Sequence, residues 1–565
     1  MRTPAPGPVS VSSPATAFSL ALLGELIGRG VRDIVLCPGA RSQALALAAA
    51  AWEQAGRVRL RVRIDERVAG FLALGIAVET GLPVAIITTS GTAVANLHPA
   101  VLEAHHSGVP LVLLTADRPA ELRGIGSNQT TDQVGMFGNA IGRVWDVPPP
   151  VDSSGAASLA QQAYAAATGT PGPVQLNLSF REPLSGSVER LPEISDYEIV
   201  EGLSRPPREI GDAAHTVVIA GHGAGPDAEA FARSLGVPLL AEVSSGSHFG
   251  PNLVVAYRRL LDEPEFGGRI ERAVVFGHPT LSRQIPTLLS RPQVGVHVVR
   301  GTTADAYNPG HRAASIDASV VHDGVPDESP DGRAWLGSWV HASRGMLAVE
   351  ATPAPNPNER AGDFAREQLA VFREPVTRRM LVEAVWRVTW PHDRLVLGAS
   401  RLIREADTYV AGKRIPVHAN RGLAGIDGTI ATAIGIALSS QDAAGGSLSG
   451  SSTGSSSGIT RVLVGDLTAL YDVGALLFGG GEVRPRIQVV VGNDGGGTIF
   501  DGLDVASTAP ADSFDRVQYT PQSVDLRALA TAYGWEYRVA RNRGELDGAL
   551  AASESPTLVE VPLPR

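Results

Sequence analysis

One cysteine, Cys37, is the whole thiol content of the 565 residues. That excludes an internal disulfide and a cluster of thiolate metal ligands. Cys37 ends the apolar run DIVLC, where a buried structural thiol is expected. There is no long basic block and the formal net charge is −10, which argues against nucleic acid as the main partner. Lysine is scarce beside arginine, so an anionic ligand would be gripped by planar, bidentate guanidinium groups. No apolar run is long enough to span a bilayer; the N-terminal FSLALLGELIGRG contains Glu25 and is far too short. No basic stretch leading to a small-residue cleavage site is found either. A soluble, cytoplasmic protein without stable membrane insertion is expected.

What is abundant is apolar residues, at 44%, and glycine, with 63 copies. The length suggests about three or four domains of ordinary size. Apolar runs that read as strands alternate with Ala- and Leu-rich helical segments in three successive blocks, 11–190, 200–350 and 375–565. Such alternation predicts an α/β protein of three consecutive doubly wound parallel-sheet domains. The Pro- and Asn-rich stretch within 351–374 reads as a linker, and the Gly/Ser tract 440–459 as a surface loop.

The strongest chemical signal lies between Gly465 and Gly497. Two apolar runs, RVLV (461–464) and IQVVVG (487–492), each end in a polar turn: Gly465-Asp466-Leu467-Thr468 and Asn493-Asp494-Gly495-Gly496-Gly497. Asp466 and Asn493 are 27 residues apart, about one strand–helix–strand unit. Neighbouring parallel strands would bring both to the carboxyl edge of a sheet, where such sheets bind ligands. A carboxylate, an amide oxygen and a backbone carbonyl are hard oxygen donors suited to Mg²⁺ and a ligand phosphate.

Other candidates are less specific. Glu66 opens an apolar helix, where partial desolvation would equip a carboxyl to share a proton; a solvated helix start is the alternative. Ser90 and Gly91 follow a strand in TSGTA, which helix capping alone would explain. Arg118, Asn128 and Gln129 lie in a loop beyond a strand end and suit a carboxylate-bearing substrate. Arg41 sits at a helix N-terminus, an anion-binding position. Asn420 to Gly428 form a basic, glycine-rich approach to a helix, with Ile426 exposed at a turn. GHGAG (221–225) invites a nucleotide reading, but Asp227 stands where the last small residue is expected; a tight strand–helix turn is the alternative. His105 and His106 are adjacent on a helix and do not share a face, so at most one should be buried.

These segments together resemble the thiamine-diphosphate enzymes and, more narrowly, the 2-succinyl-5-enolpyruvyl-6-hydroxy-3-cyclohexene-1-carboxylate synthase family of menaquinone biosynthesis. The matching runs are CPGARS (37–42), IDERVAGFLALGIA (64–77), TSGTAVANLHPAVLEA (89–104), LTADRPAELRGIGSNQT (114–130), NRGLAGIDG (420–428), GDLTALYD (465–472) and NDGGGTIF (493–500). The resemblance implies a pyrimidine-binding domain at 11–190, a central spacer at 200–350 and a diphosphate-binding domain at 375–565. It implies that Asp466, Asn493 and the carbonyl of Gly495 ligate Mg²⁺, or Mn²⁺, and that Ser90, Gly91, Gly465, Leu467 and Thr468 line the cofactor. Glu66 would act on the cofactor's aminopyrimidine from a partner subunit, and Ile426 would wedge beneath the cofactor. Arg41, Arg118, Asn128, Gln129, Arg283, Arg404 and Arg421 would contact substrate, with Arg41, Gln129 and Ser400 near the reacting centre. The implied reaction is decarboxylation of 2-oxoglutarate and 1,4-addition of the resulting succinyl-semialdehyde carbanion to isochorismate, in a homodimer or homotetramer with sites at subunit interfaces.

The chain departs from the family pattern at Ala40, Ala399 and the glycine run 495–497, which is one residue longer than usual before Ile499 and Phe500. The same residues admit two other readings. One is a different thiamine-diphosphate decarboxylase or carboligase of the acetolactate-synthase kind; the other is a catalytically silent cofactor-binding homologue.

Overall fold

The computed structural model describes residues 13–188, 190–194, 197, 206–211, 214–301, 303, 305–327, 329–349, 372–444 and 458–565. Their strands form three larger sheets in succession, all parallel, with helices between the strands. The first contains β1 (Asp33–Leu36), β2 (Arg59–Val62), β3 (Val84–Thr88), β4 (Leu111–Asp117), β5 (Val144–Val147) and β6 (Pro173–Ser179), in the order β2-β1-β3-β4-β6-β5. A short pair, β7 (Arg208–Glu209) and β13 (Val320–Val321), flanks the second. That sheet contains β8 (Thr216–Ala220), β9 (Leu239–Ala241), β10 (Arg272–Phe276), β11 (Gly295–Val299) and β12 (Ala313–Asp317), in the order β12-β11-β10-β8-β9. The third contains β14 (Arg394–Leu397), β15 (Val417–His418), β16 (Thr460–Gly465), β17 (Ile487–Asn493), β18 (Glu536–Val539) and β19 (Thr557–Pro562). Its order, β15-β14-β16-β17-β19-β18, repeats that of the first sheet strand for strand.

Central strands are continuous Val/Ile/Leu runs because helices cover both faces. In the three larger sheets, the strands that the apolar runs did not reveal are β5, β12 and β18. Each lies at a sheet edge and is partly exposed, so its sequence (VWDV, AASID, EYRV) carries no continuous apolar run.

One core joins the first and third sheets. It takes Val68, Phe71, Leu72 and Ile76 from the helix Glu66–Thr80, and Ile430, Ile434, Ala437 and Leu438 from the helix Thr429–Ala444. The small residues of both helices are therefore packing residues. The latter helix also absorbs the start of the Gly/Ser tract: 440–444 are helical, and Asp442 pairs with Arg61 at 2.9 Å and Arg59 at 3.5 Å. The rest of the tract, 445–457, and linker residues 350–371 lie outside the described residues.

The GHGAG segment is a turn after β8. A Cβ on Gly221 would lie 2.0 Å from the backbone nitrogen of Pro279, so close backbone approach accounts for that glycine. Asp227 begins the next helix, placing a carboxylate where a phosphate would have to sit. The tight-turn reading fits better. His105 and His106 are both half-buried at the end of the helix His98–Ser107, and their rings meet edge to face at 5.1 Å. The two adjacent rings thus touch, and neither is fully buried. Among the described residues no helix is long and apolar enough to cross a membrane.

Candidate active site

β16 and β17 are hydrogen-bonded neighbours in register, Gly465 opposite Gly492, so Asp466 and Asn493 emerge side by side at the carboxyl edge. Asp466 starts the short helix Asp466–Tyr471. Its Oδ1 accepts from the N–H of Leu467 at 2.7 Å, while Oδ2 is buried with no hydrogen-bond partner among the described residues. Burial pushes this carboxyl up to about 6, and the charge of Asp494 adds to the push. A buried carboxylate with one orphan oxygen is what a divalent cation would relieve, and nothing crowds the space over Gly465. Leu467 is half-buried and Thr468 buried in the same turn.

Asn493 is held from behind. Its Nδ2 donates to Glu560 Oε1 at 2.7 Å, and Glu560 Oε2 accepts from the Tyr537 hydroxyl at 2.6 Å. Oδ1 is thereby turned toward the glycine turn, where it accepts from Gly495 N–H at 3.2 Å. The Gly495 carbonyl accepts from Gln522 N–H at 3.0 Å, which leaves it a second lone pair. Asp494 is clamped by Arg378, at 2.8 Å, and by the Thr498 hydroxyl. The extra glycine of the run is explained here: a Cβ on Gly496 would lie 2.4 Å from the carbonyl oxygen of Tyr519. Phe500 is half-buried, with its ring against Gly497. Glu560, Tyr537 and Arg378 had no sequence signal, because each acts from a different strand or helix on a side chain far away in sequence.

Glu66 is the first residue of its helix, capped by Asp65, and its carboxylate accepts from Asn96 Nδ2 at 3.5 Å. It is half-buried, and Cys37 is fully buried nearby. Burial raises the Cys37 thiol, and the charges of Glu66 and Asp65 raise it further. The next residue, Arg67, reaches Asp472 at 3.4 Å and donates to the carbonyl of Tyr471 at 3.1 Å. Asp472 in turn accepts from Ile430 and Ala431 N–H at 2.8 and 2.9 Å. A buried carboxylate thus caps the helix after Ile426, whose own N-terminal glycine, Gly428, has no side chain to do so. Burial pushes Asp472 up to about 6.

A second group gathers at the carboxyl edge of the first sheet. Arg118 donates to the Ser90 hydroxyl and to the Gln129 carbonyl, and Ser90 Oγ lies 3.0 Å from the same carbonyl. Gln129, at φ +53°, donates its amide to the Ser90 carbonyl at 3.0 Å. Gly91, at φ +83°, donates to Gln133 at 2.9 Å. Ser90 therefore ties two loops together and makes no helix cap. Arg41 donates to the Phe180 carbonyl at 3.1 Å, and its charge, after burial, depresses the Arg118 pKa. Two neighbouring guanidiniums favour an anion between them. Asn128 is exposed in the same loop, and Ala40 is exposed, with its carbonyl accepting from Gln43.

The third group lies where the second and third sheets meet. Arg421 is buried and donates to the Thr280 hydroxyl at 2.9 Å and carbonyl at 3.2 Å. The loop beyond it is gripped by Glu103, which accepts from Gly422 N–H at 2.7 Å and Leu423 N–H at 2.8 Å. Ile426 remains 36% exposed, an apolar side chain with a face to offer. Arg404 and Arg283 are exposed; partial burial, then the charges of Arg258 and Arg283, depress the Arg404 pKa. Ser400 caps the helix Arg401–Tyr409, its hydroxyl accepting from Leu402 N–H at 3.1 Å, and Ala399 before it is half-buried. The sequence singled out Arg421 but not its supports Glu103 and Thr280, which lie in other domains.

Three parallel sheets, the first and third of the same strand order, with Asp466 and Asn493 side by side at the edge of the third, are the frame of a thiamine-diphosphate enzyme. Residues 18–136 match the family model described as the thiamine pyrophosphate enzyme N-terminal TPP binding domain. The chain is 58% identical to the 2-succinyl-5-enolpyruvyl-6-hydroxy-3-cyclohexene-1-carboxylate synthase of Leifsonia xyli subsp. xyli, over 98% of this chain and 97% of that one. It is 55% identical to the protein of the same name from Clavibacter michiganensis subsp. michiganensis, with the same coverage. With the one from Arthrobacter sp. it shares 42% identity over 98% of this chain and 90% of the other. The chain belongs to the 2-succinyl-5-enolpyruvyl-6-hydroxy-3-cyclohexene-1-carboxylate synthase family.

Proposed function

We propose that this protein joins 2-oxoglutarate to isochorismate, with loss of CO₂, to form the product for which its relatives are named, a step of menaquinone biosynthesis in the cytoplasm. The observation that carries the proposal is the orphan buried oxygen of Asp466 beside the fixed amide of Asn493, in a chain of this family. When bound, thiamine diphosphate supplies the carbon nucleophile and electron sink that decarboxylation of a 2-oxo acid requires. Asp466, Asn493 and the Gly495 carbonyl would hold Mg²⁺, or Mn²⁺, against its diphosphate, with Gly465, Leu467 and Thr468 alongside. Ser90 and Gly91 would border its other end.

Glu66 would share a proton with the ring of the bound cofactor, and Ile426 would offer it an apolar support. Arg41, Arg118, Asn128 and Gln129 from the first block, and Arg283, Arg404 and Arg421 from the second and third, receive the substrate carboxylates. Ser400 holds the helix of Arg404 in place and would stand near the reacting centre. The domain limits are 11–190, 200–350 and 375–565. Arg41 is electrostatically coupled to Arg118, and Arg404 to Arg283 and Arg421. Within one chain these form two groups; we take the site to be completed between two copies, in a homodimer or a tetramer built from it.

The test is a coupled assay on the purified protein with thiamine diphosphate, Mg²⁺, 2-oxoglutarate and isochorismate, reading CO₂ release and product mass. CO₂ released from 2-oxoglutarate in step with isochorismate consumption supports the proposal. Rapid turnover of pyruvate, with no product from isochorismate, overturns it.

A further inference from the structure

Glu242, directly after β9, is fully buried in the central sheet's contact with the third block. Its Oε1 accepts from Thr280 N–H at 2.7 Å and Leu281 N–H at 2.6 Å. The same Thr280 holds the Arg421 guanidinium through both its hydroxyl and its carbonyl. A chain of hydrogen bonds therefore runs from Glu242 through Thr280 to Arg421. The other oxygen, Oε2, is buried with no hydrogen-bond partner among the described residues.

We propose that Glu242 is a positioning residue: it fixes the turn that aims Arg421, and its ionisation weakens Arg421's hold on a substrate carboxylate. This rests on the reading that Arg421 receives such a carboxylate. The groups that face Glu242 are Asp407 and Arg404 on the helix Arg401–Tyr409, Tyr257, Tyr307 and Arg421. Asp407 is committed elsewhere: it accepts from Val243 N–H at 2.7 Å and the Tyr257 hydroxyl at 2.7 Å, and pairs with Arg258. Arg421 and Arg404 are thus the cations whose charge a newly ionised Glu242 would share, and Arg421 is the one tied to it through Thr280.

Burial, and then the charge of Asp407, pushes the Glu242 carboxyl up to about 8. Near neutral pH it holds a proton and only its acceptor oxygen matters, as the anchor of the turn. Above that range it becomes a carboxylate, which draws on Arg421 and repels the incoming substrate anion. By linkage, a bound substrate carboxylate raises the Glu242 pKa in return.

The experiment uses the full chain loaded with thiamine diphosphate and Mg²⁺, and follows KM for each substrate between about pH 6.5 and 9. KM for the substrate held by Arg421 should climb through the alkaline half, by at most about tenfold per pH unit for one linked proton. In E242Q, which keeps the acceptor but cannot ionise, the ratio of alkaline to neutral KM should stay within about twofold. T280V should raise KM several-fold at every pH, and T280S should restore it. An E242Q profile that climbs like the parent's, or a T280V variant with the parent's KM, overturns the proposal. R421A separates the two readings. If it raises neither KM, the Arg421 assignment falls and this proposal with it; if it raises one KM at least tenfold while E242Q climbs as before, only the Glu242 role falls.

Discussion

Gly75 and Gly435 meet backbone to backbone where the helices Glu66–Thr80 and Thr429–Ala444 cross. A Cβ on Gly75 would lie 2.0 Å from the Thr432 carbonyl oxygen, and one on Gly435 would lie 2.3 Å from that of Leu72. Neither neighbour is a flexible side-chain tip, so a methyl group must push the helices apart. G75A or G435A should therefore cost about 2 kcal/mol or more, the scale of a strained overpacked core. Denaturant unfolding measures the loss. Cofactor affinity should fall with it, since one helix begins with Glu66 and the other follows Ile426.

Asp466→Ala should abolish metal-dependent binding of thiamine diphosphate, seen by calorimetry with and without Mg²⁺. The buried carboxylate would offer its orphan oxygen to the cation, and the neighbouring Asp494 is already engaged by Arg378 and Thr498. Retained Mg²⁺-dependent binding in this variant would contradict the metal assignment.

Glu560→Ala removes the acceptor that orients the Asn493 amide. Outer partners of metal ligands typically matter by about 10- to 100-fold in metal affinity. The expected outcome is a weaker Mg²⁺ requirement curve, shifted by that factor, with the fold intact by circular dichroism.

Glu66→Gln should leave cofactor binding largely in place and remove most turnover, by about 10²- to 10⁴-fold, the usual contribution of a positioned proton-sharing group. Full activity in this variant would show that the carboxylate has another role.

Glu79 joins the end of its helix to the third sheet, 2.7 Å from Arg394 and 3.3 Å from His418. Burial alone would raise its pKa, but its pairing with His418 and Arg394 holds it below the ordinary 4.5. A carboxyl depressed on folding adds stability that is present above about pH 4.5 and lost as pH falls through the folded value. E79Q should lose stability near neutral pH and show a flatter acid limb in urea titrations; an acid limb as steep as the parent's would count against the pair.

The sequence by itself determined the α/β class, the central strands, the Asp466–Asn493 pair and the family resemblance. It could do so because these are local: a strand covered on both faces reads as an unbroken apolar run, and a ligand-bearing turn follows directly on its strand. It could also place Glu66, Arg118 and Arg421 in suitable turns. Tertiary structure alone decided what holds them. Edge strands β5, β12 and β18 carry no unbroken apolar run, since their pattern depends on which side a neighbour covers. Glu560, Asp472, Glu103 and Glu242 leave no local motif, because each grips backbone or amide groups tens to hundreds of residues away. The sequence marks the groups that would touch the ligands; only the packing of three sheets supplies the buried carboxylates that aim them.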